Sequence, residues 1–249
     1  MTSTFPVASP SIKSQCLVII PAMNEAKTIG LVIDEVIAQG FSVLVIDDGS
    51  TDNTVAIARN LGAVVIPLTF NIGAWNATQA GVRYALKHQF TSVISMDADG
   101  QHSPETLPDL LDASLINDVV IASCIQRGSI GRRLTWTFFK YAAGFNFNDL
   151  TSGFRIYNKQ AMLILASRQA TLLEYQDVGI LMLLMKHNLS ITEINTTMSC
   201  RIEGKSRIFN SWLQVFYYLL YTSLLCLSKT TPIKRLNKQS TKKKVAPIS

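Results

Sequence analysis

Asp97 and Asp99 flank one residue directly after the strand-like run 93–96. In an extended segment, residues i and i+2 face the same side. Two carboxylates held together resist joint ionisation unless a cation neutralises them. A donor set made of oxygen suits Mg2+ or Mn2+ better than zinc. Magnesium held by one or two carboxylates fills its other positions with water and substrate phosphate. Gln101 and His102 follow within reach. An Asp-x-Asp pair also occurs in plain turns, so its surroundings decide its meaning.

Two further polar clusters follow apolar runs in the same way. Asn24-Glu25 comes just after the run 17–20 and Pro21. Asp47-Asp48-Gly49-Ser50-Thr51-Asp52 closes the run 43–46. Ser, Thr and Asp are good helix caps. Asp48 could therefore accept hydrogen bonds from a base or ribose while Ser50 or Thr51 caps the next helix.

The elements that would position these clusters alternate. Strand runs at 17–20, 43–46, 63–67, 93–96 and 119–122 are separated by helical patterns. Ile29, Val32, Ile33, Val36 and Ile37 recur at helical spacing. Residues 51–61, 73–87 and 104–115 form three more predicted helices, with Pro104 suited to a first turn. Strands separated by helices pair in parallel through right-handed crossovers. Strands without polar residues imply a sheet covered on both faces. In such sheets, ligands bind at the carboxyl ends of strands, where all three clusters fall. The second half is less regular, with apolar stretches at 172–189 and 208–227.

Five blocks together resemble glycosyltransferase family 2. They are Leu17-Val18-Ile19-Ile20-Pro21-Ala22-Met23-Asn24-Glu25, Val45-Ile46-Asp47-Asp48-Gly49-Ser50-Thr51-Asp52 and Met96-Asp97-Ala98-Asp99-Gly100-Gln101-His102-Ser103-Pro104-Glu105. Two more, Asp149-Leu150-Thr151-Ser152-Gly153-Phe154-Arg155 and Arg201-Ile202-Glu203-Gly204-Lys205-Ser206-Arg207, look like its dolichol-phosphate mannosyltransferase and polyprenyl-phosphate glycosyltransferase branch. The resemblance implies an α/β protein of the GT-A fold. That fold would be a single doubly wound, mostly parallel sheet with helices on both faces, followed here by a C-terminal amphipathic helix. It implies transfer of a sugar, with inversion, from a nucleotide-diphosphate-sugar. Pro21, Ala22, Asn24, Glu25 and Asp48 would hold the nucleoside. Asp97, Asp99 and Gln101 would bind Mg2+ or Mn2+, with Ala98 lining the donor site between them. Arg201, Ser206 and Arg207 would close over the diphosphate.

The acceptor divides the reading. A hydroxyl acceptor needs a carboxylate base, and Asp177 and Glu174 are the candidates, near a helix starting around Leu172. A lipid phosphate is already an anion and needs cations instead. Arg127, Arg132 and Arg133 lie in the right stretch. The branch grips its lipid phosphate with an Arg followed four residues later by Ser, and Arg133 with Thr137 fits that pattern loosely. The sequence departs from the branch at Ala122-Ser123-Cys124, where Gly-Ser-Arg is usual, and at Glu193-Ile194-Asn195, where Glu-Val-Pro is usual. The segment 133–149 is also short. His88 and His187 are expected to face solvent, and Trp75, Trp136 and Trp212 to pack.

Composition narrows the partners. The formal charge of the 249 residues is +6, but seven of the 23 basic residues lie from Lys229 onward, where no acidic residue occurs. The first 228 residues thus carry 16 basic against 17 acidic side chains, a net of −1. A nucleic-acid reader needs a basic face on its folded body, so that class is excluded. Cys16, Cys124, Cys200 and Cys226 lack CxxC spacing and read as reduced thiols. The expected organisation is a flexible N-terminus at 1–15, a catalytic domain at 16–207, an amphipathic membrane-interface helix at 208–228 and a basic disordered tail at 229–249. Leu213, Phe216, Leu220, Leu224 and Leu227 form one side of that helix, and Asn210, Gln214, Tyr218, Tyr221 and Thr222 the other. Lying on an anionic membrane, rather than spanning it, keeps tail and domain on the cytoplasmic face.

Two other classes compete. A sugar-1-phosphate nucleotidyltransferase carries a Gly-x-Gly-Thr-Arg loop after its first strand, where this chain has Pro21-Ala22-Met23-Asn24-Glu25. A non-catalytic nucleotide-binding relative at a membrane would have no need of the Asp97/Asp99 pair.

Overall fold

The structure is a computed structural model that describes residues 12–124, 149–173 and 177–197. Its strands are β1 (Cys16–Ala22), β2 (Ser42–Asp47), β3 (Val64–Pro67), β4 (Ser92–Ser95), β5 (Val119–Ser123), β6 (Arg155–Asn158) and β7 (Ile191–Asn195). Its helices are α1 (Ile29–Ala38), α2 (Thr54–Asn60), α3 (Ala74–Lys87), α4 (Leu107–Ala113), α5 (Lys159–Leu165), α6 (Arg168–Thr171) and α7 (Val178–Lys186). The strands form one sheet in the order β3-β2-β1-β4-β6-β5-β7. β6 runs antiparallel to both neighbours, β4 and β5, while the other pairs are parallel. The mostly parallel α/β sheet is the expected one. β6 and β7 fall in the less regular second half of the sequence, where no strand is expected.

The sheet is covered on both faces because its strands are apolar on both. Val18 and Ile20 of β1 join a core with Ile29, Val32 and Ile33 of α1 and Leu107 and Leu110 of α4. Leu17 and Ile19 point the other way, to Val82 and Ala85 of α3, Met162 of α5 and Ile180 of α7. Each branched apolar side chain buried this way contributes about 1.5–3 kcal/mol. A one-residue slip would swap the two rows between unlike helices, so this double covering sets the register.

Helix boundaries differ from the sequence pattern where side chains intervene. The helix expected at 51–61 begins only at Thr54. Among the described residues of the apolar run at 172–189, the helix extends from Val178 to Lys186, and Leu172 and Leu173 lie outside it. Residues 12–15, placed in a flexible terminus by composition, form a 3-10 turn. Lys13 anchors it by donating to the Gln39 carbonyl at 3.1 Å and lying over the Phe41 ring. Among the described residues, no helix is long and apolar enough to cross a membrane.

Gly81 lets α3 lie directly on β1. A Cβ there would stand 2.5 Å from Ile19 Cγ2, and Ile19 is wholly buried. Gly81→Ala is expected to destabilise the fold by about 1–3 kcal/mol from overpacking, despite the roughly 1 kcal/mol that alanine gains in helix propensity. Urea titration checks this, and an unchanged or raised midpoint would refute the close approach.

Candidate active site

Strands β2, β1 and β4 are neighbours in the sheet, so the loops after them meet at one end. The loop after β1 is tied to the loop after β2 through side-chain oxygens. Asn24 takes a left-handed backbone, φ 53°, a conformation asparagine tolerates better than most residues. Its N–H donates to Ser50 Oγ at 2.8 Å, and its Oδ1 accepts from the Thr51 N–H at 2.8 Å. The Glu25 N–H donates to Thr54 Oγ1 at 2.9 Å, and that of Ala26 to Asp52 Oδ2 at 3.1 Å. Asp52 Oδ1 accepts the Thr54 N–H at 3.0 Å. The expected capping of α2 by Ser50 or Thr51 is therefore corrected. Those residues hold Asn24, and Asp52 receives the first amide of the helix.

Asp48 is buried and builds the next part of the rim. Its Oδ1 accepts the Ile72 N–H at 2.7 Å and its Oδ2 the Gly73 N–H at 3.0 Å. Its own N–H donates to the Ala22 carbonyl at 2.8 Å. The carboxylate proposed to face the nucleoside thus also fixes the turn that starts α3. Gly49 has φ 82°, and a Cβ there would stand 3.3 Å from the Asn71 nitrogen, so glycine is required. Pro21 is half-buried and Ala22 and Ala98 are buried at this end. Asp47 is also buried. Its Oδ2 accepts the Ser50 N–H at 3.3 Å, and its Oδ1 has no hydrogen-bond partner.

Asp97 projects outward beyond β4, with its side chain 54% exposed. Asp99 and Gln101 are buried, and Asp99 Oδ1 accepts the Gln101 N–H at 3.0 Å. His102 is buried, and its Nδ1 accepts the Asp97 N–H at 3.2 Å. The geometry therefore assigns the proton of the neutral ring to Nε2, which faces Asp97 Oδ2 at 3.8 Å. The ring stacks on Phe154, centroids 4.8 Å apart. Among the described residues, no group of three His, Cys, Asp or Glu side chains gathers to hold a metal unaided. One exposed and one buried carboxylate fit a divalent cation that draws its remaining ligands from phosphate and water.

The segment 149–155 forms the floor beside Asp97, a role that sequence reasoning missed. Asp149 Oδ1 accepts the N–H groups of Thr151 and Ser152, and Oδ2 that of Cys124. Ser152 Oγ donates to the Ala122 carbonyl at 2.7 Å, and Ser95 Oγ to that of Gly153 at 2.6 Å. A Cβ on Gly153 would stand 3.3 Å from Asp97 Oδ1. The available signal was Asp149-Leu150-Thr151-Ser152, a sequence that favours a side-chain-capped turn.

Asp177 is the half-buried residue before α7, with no side-chain cap bond to the helix. Glu174, Arg127, Arg132, Arg133, Thr137, Arg201, Ser206 and Arg207 lie outside the described residues. So do Trp136, Trp212, Cys200, Cys226 and the predicted helix and tail from 208 onward. Trp75 packs as expected, buried with its indole N–H donating to the Ala170 carbonyl at 3.0 Å. His88 and His187 are exposed, also as expected. Cys16 is free, and burial pushes its thiol pKa up to about 12.

The fold is that of the GT-A glycosyltransferases. Glucosyl-3-phosphoglycerate synthase from Mycobacterium tuberculosis, solved with phosphoglyceric acid, aligns with a TM-score of 0.63 and 21% identity, covering 86% of this chain and 79% of that one. The same protein with Mn2+, uridine diphosphate and glucosyl-3-phosphoglycerate aligns with a TM-score of 0.63 and 19% identity, covering 91% and 86%. At such identities the likeness is one of fold. Residues 17–166 match the model of Glycosyl transferase family 2, and the chain belongs to that family.

Its relatives follow the expected branch. Polyprenol monophosphomannose synthase of Mycolicibacterium smegmatis is 32% identical over 165 residues, 59% of this chain and 62% of that protein. Undecaprenyl-phosphate mannosyltransferase of Micrococcus luteus is 31% identical over 165 residues, 59% of this chain and 67% of that protein. The UDP-N-acetylglucosamine–dolichyl-phosphate N-acetylglucosaminyltransferase of Methanococcus voltae is 27% identical over 208 residues, 71% and 82%. The chain thus spans just over three fifths of the first of these relatives.

Two measurements test this geometry. Gly153→Ala should push the Asp97 carboxylate by a few tenths of an ångström and weaken Mn2+ binding, read by Mn2+ spin resonance, while the far-ultraviolet spectrum stays unchanged. Undiminished Mn2+ affinity would remove Gly153 from the site. At Asp52, burial raises the pKa, but hydrogen bonds from Thr54 and Ala26 outweigh it and hold the carboxyl below the usual aspartate range. The stability this adds is present above that range and is lost as pH falls through the lowered value. Wild type and Asp52→Asn should therefore converge in urea titrations as pH falls below the usual range. Parallel curves at every pH would contradict the assignment.

Proposed function

We propose that this chain transfers a sugar, with inversion, from a nucleotide-diphosphate-sugar to a membrane polyprenyl phosphate, using Mg2+ or Mn2+. The observation that carries the reading is the placement of exposed Asp97 beside buried Asp99, at the carboxyl ends of β1, β2 and β4, in a family 2 chain. The lipid acceptor is supported by three relatives named for polyprenol, undecaprenyl phosphate and dolichyl phosphate. Those names include both mannose and N-acetylglucosamine, so the sugar is left to experiment.

Asn24, Glu25, Asp48 and the flanking Pro21 and Ala22 shape the nucleoside end of the cleft. Asp97 and Asp99, with Gln101, would hold the divalent cation, which acts as a Lewis acid on the departing diphosphate when bound. Arg201, Ser206 and Arg207 close over that diphosphate, Arg being suited to paired contacts with phosphate oxygens. Arg127, Arg133 and Thr137 receive the lipid phosphate, an anion that attacks without a base. Residues 208–228 and the basic tail hold the catalytic domain to the cytoplasmic face of an anionic membrane. A second reading has a glycan hydroxyl as acceptor with Asp177 as base. It is favoured by Asp177, a half-buried carboxylate at the amino end of α7 whose side chain makes no cap bond to that helix.

The test incubates the protein with Mn2+, labelled nucleotide-sugars and polyprenyl phosphate, and counts label in the organic phase. Label should enter lipid only with metal, and Asp99→Ala should reduce it about a hundredfold or more. Label entering a glycan instead would move the acceptor to the second reading. Failure to bind any nucleotide-sugar would refute both.

A further inference from the structure

Arg155 opens β6 and is wholly buried. Its Nη2 donates to the Leu150 carbonyl at 3.0 Å. Its Nε and Nη1 have no hydrogen-bond partner. Among the described residues, no carboxylate pairs with it. Glu193 shares its row of the sheet, but Ile121 stands between them, and Glu193 Oε2 accepts the Asp149 N–H at 3.3 Å. Ser123, one residue pair further along β5 on the same face, is also buried, with no partner for its hydroxyl.

A buried guanidinium with idle donors is costly, and apolar substitutes for buried ions are often neutral or stabilising. Such a group calls for an explanation beyond stability. Its position supplies one. Gly153 lies two residues before Arg155, where the chain enters β6. Ser95 Oγ reaches the carbonyls of both residues. Asp97 rests over Gly153. The bond to the Leu150 carbonyl places the guanidinium against the turn 149–154, whose Gly153 lies beside Asp97.

We propose that Arg155 is a positioning residue, a fixed buried cation whose field holds the anionic diphosphate of the donor over Asp97. This rests on the donor assignment above. It predicts an asymmetry that mere structural damage would not give. Removing the charge should weaken diphosphate binding but not the binding of Mn2+ alone, because a cation is repelled by Arg155.

The experiment uses the full chain and titrates GDP, UDP, the matching uncharged nucleosides and Mn2+ alone. The proteins are wild type, Arg155→Met and Arg155→Lys, with nucleotides tested in Mn2+ and in EDTA. Arg155→Met should bind the preferred diphosphate about tenfold more weakly in both conditions. Its nucleoside affinity should be unchanged and its Mn2+ affinity equal or higher. Arg155→Lys should stay within about threefold of wild type for the diphosphate. Wild-type diphosphate affinity in Arg155→Met would overturn the proposal. So would parallel losses of nucleoside, diphosphate and Mn2+, the mark of a structural role. Should Arg155→Met not fold, Arg155→Lys decides: retained diphosphate affinity supports the proposal, and a tenfold loss overturns it. A wild-type protein that binds neither diphosphate would instead refute the donor assignment itself, and this proposal with it.

Discussion

The carboxylate of Asp48 holds two consecutive backbone amides, those of Ile72 and Gly73, and the loops at the carboxyl ends of β1 and β2 are arranged around that contact. Loop amides have no ladder to satisfy them, and a buried unpaired N–H costs about 1–3 kcal/mol. Asp48 satisfies two half-buried loop amides at once and fixes where α3 begins. Gly81 then lets α3 settle onto β1. The loop after β1 is drawn in by the same device, with Ser50, Thr51, Asp52 and Thr54 receiving or supplying its bonds. The cleft rim is therefore a set of amides held by acidic and hydroxyl side chains, which leaves little slack for its shape.

The opposite wall is built by one antiparallel strand. β6 inserts between β4 and β5 and so delivers the turn 149–154 to the end of β4. Asp149 ties that turn to the end of β5 through the Cys124 amide, and Ser152 ties it through the Ala122 carbonyl. The turn then presents Gly153 to Asp97 and Phe154 to His102. Without a Cβ at 153, the exposed carboxylate has room to lie close to the floor. His102 receives the Asp97 amide, so that the backbone of the loop after β4 is held even though the Asp97 carboxylate faces solvent.

Among the described residues, most of the buried polar side chains lie at that end, with Thr78 and Gln79 of α3 and Ser92 at the start of β4 apart from it. Asp47, Asp48, Asp99, Gln101, His102, Ser123, Asp149 and Arg155 are all buried there, while the body of the sheet is covered by branched apolar side chains. Natural proteins depart from apolar packing chiefly where function demands it. The unpartnered oxygens of Asp47 and Ser123 and the idle guanidinium nitrogens of Arg155 fit that pattern, while Gln79 Oε1 of α3, also without a partner, lies away from it.

Much of this was legible in the chain itself. Runs such as Val43-Leu44-Val45-Ile46, apolar on both faces and followed by carboxylates, by themselves determined a two-sided parallel sheet with polar ends. They also determined that Asp48, Asp97 and Asp99 share one end, because parallel strands all finish on the same side. β6 and β7 were not legible, since Arg155-Ile156-Tyr157-Asn158 and Ile191-Thr192-Glu193-Ile194-Asn195 are too short and polar for their period to show. Tertiary structure alone decided that Asp52 rather than Ser50 serves α2, that Asp48 is shared with Ile72 and Gly73, and that Gly153 lies under Asp97. Each of these joins residues more than one turn or strand apart, or chooses among equivalent oxygens. Local pattern does not encode that choice, because the partner is set by which backbone amides the folded sheet brings within reach.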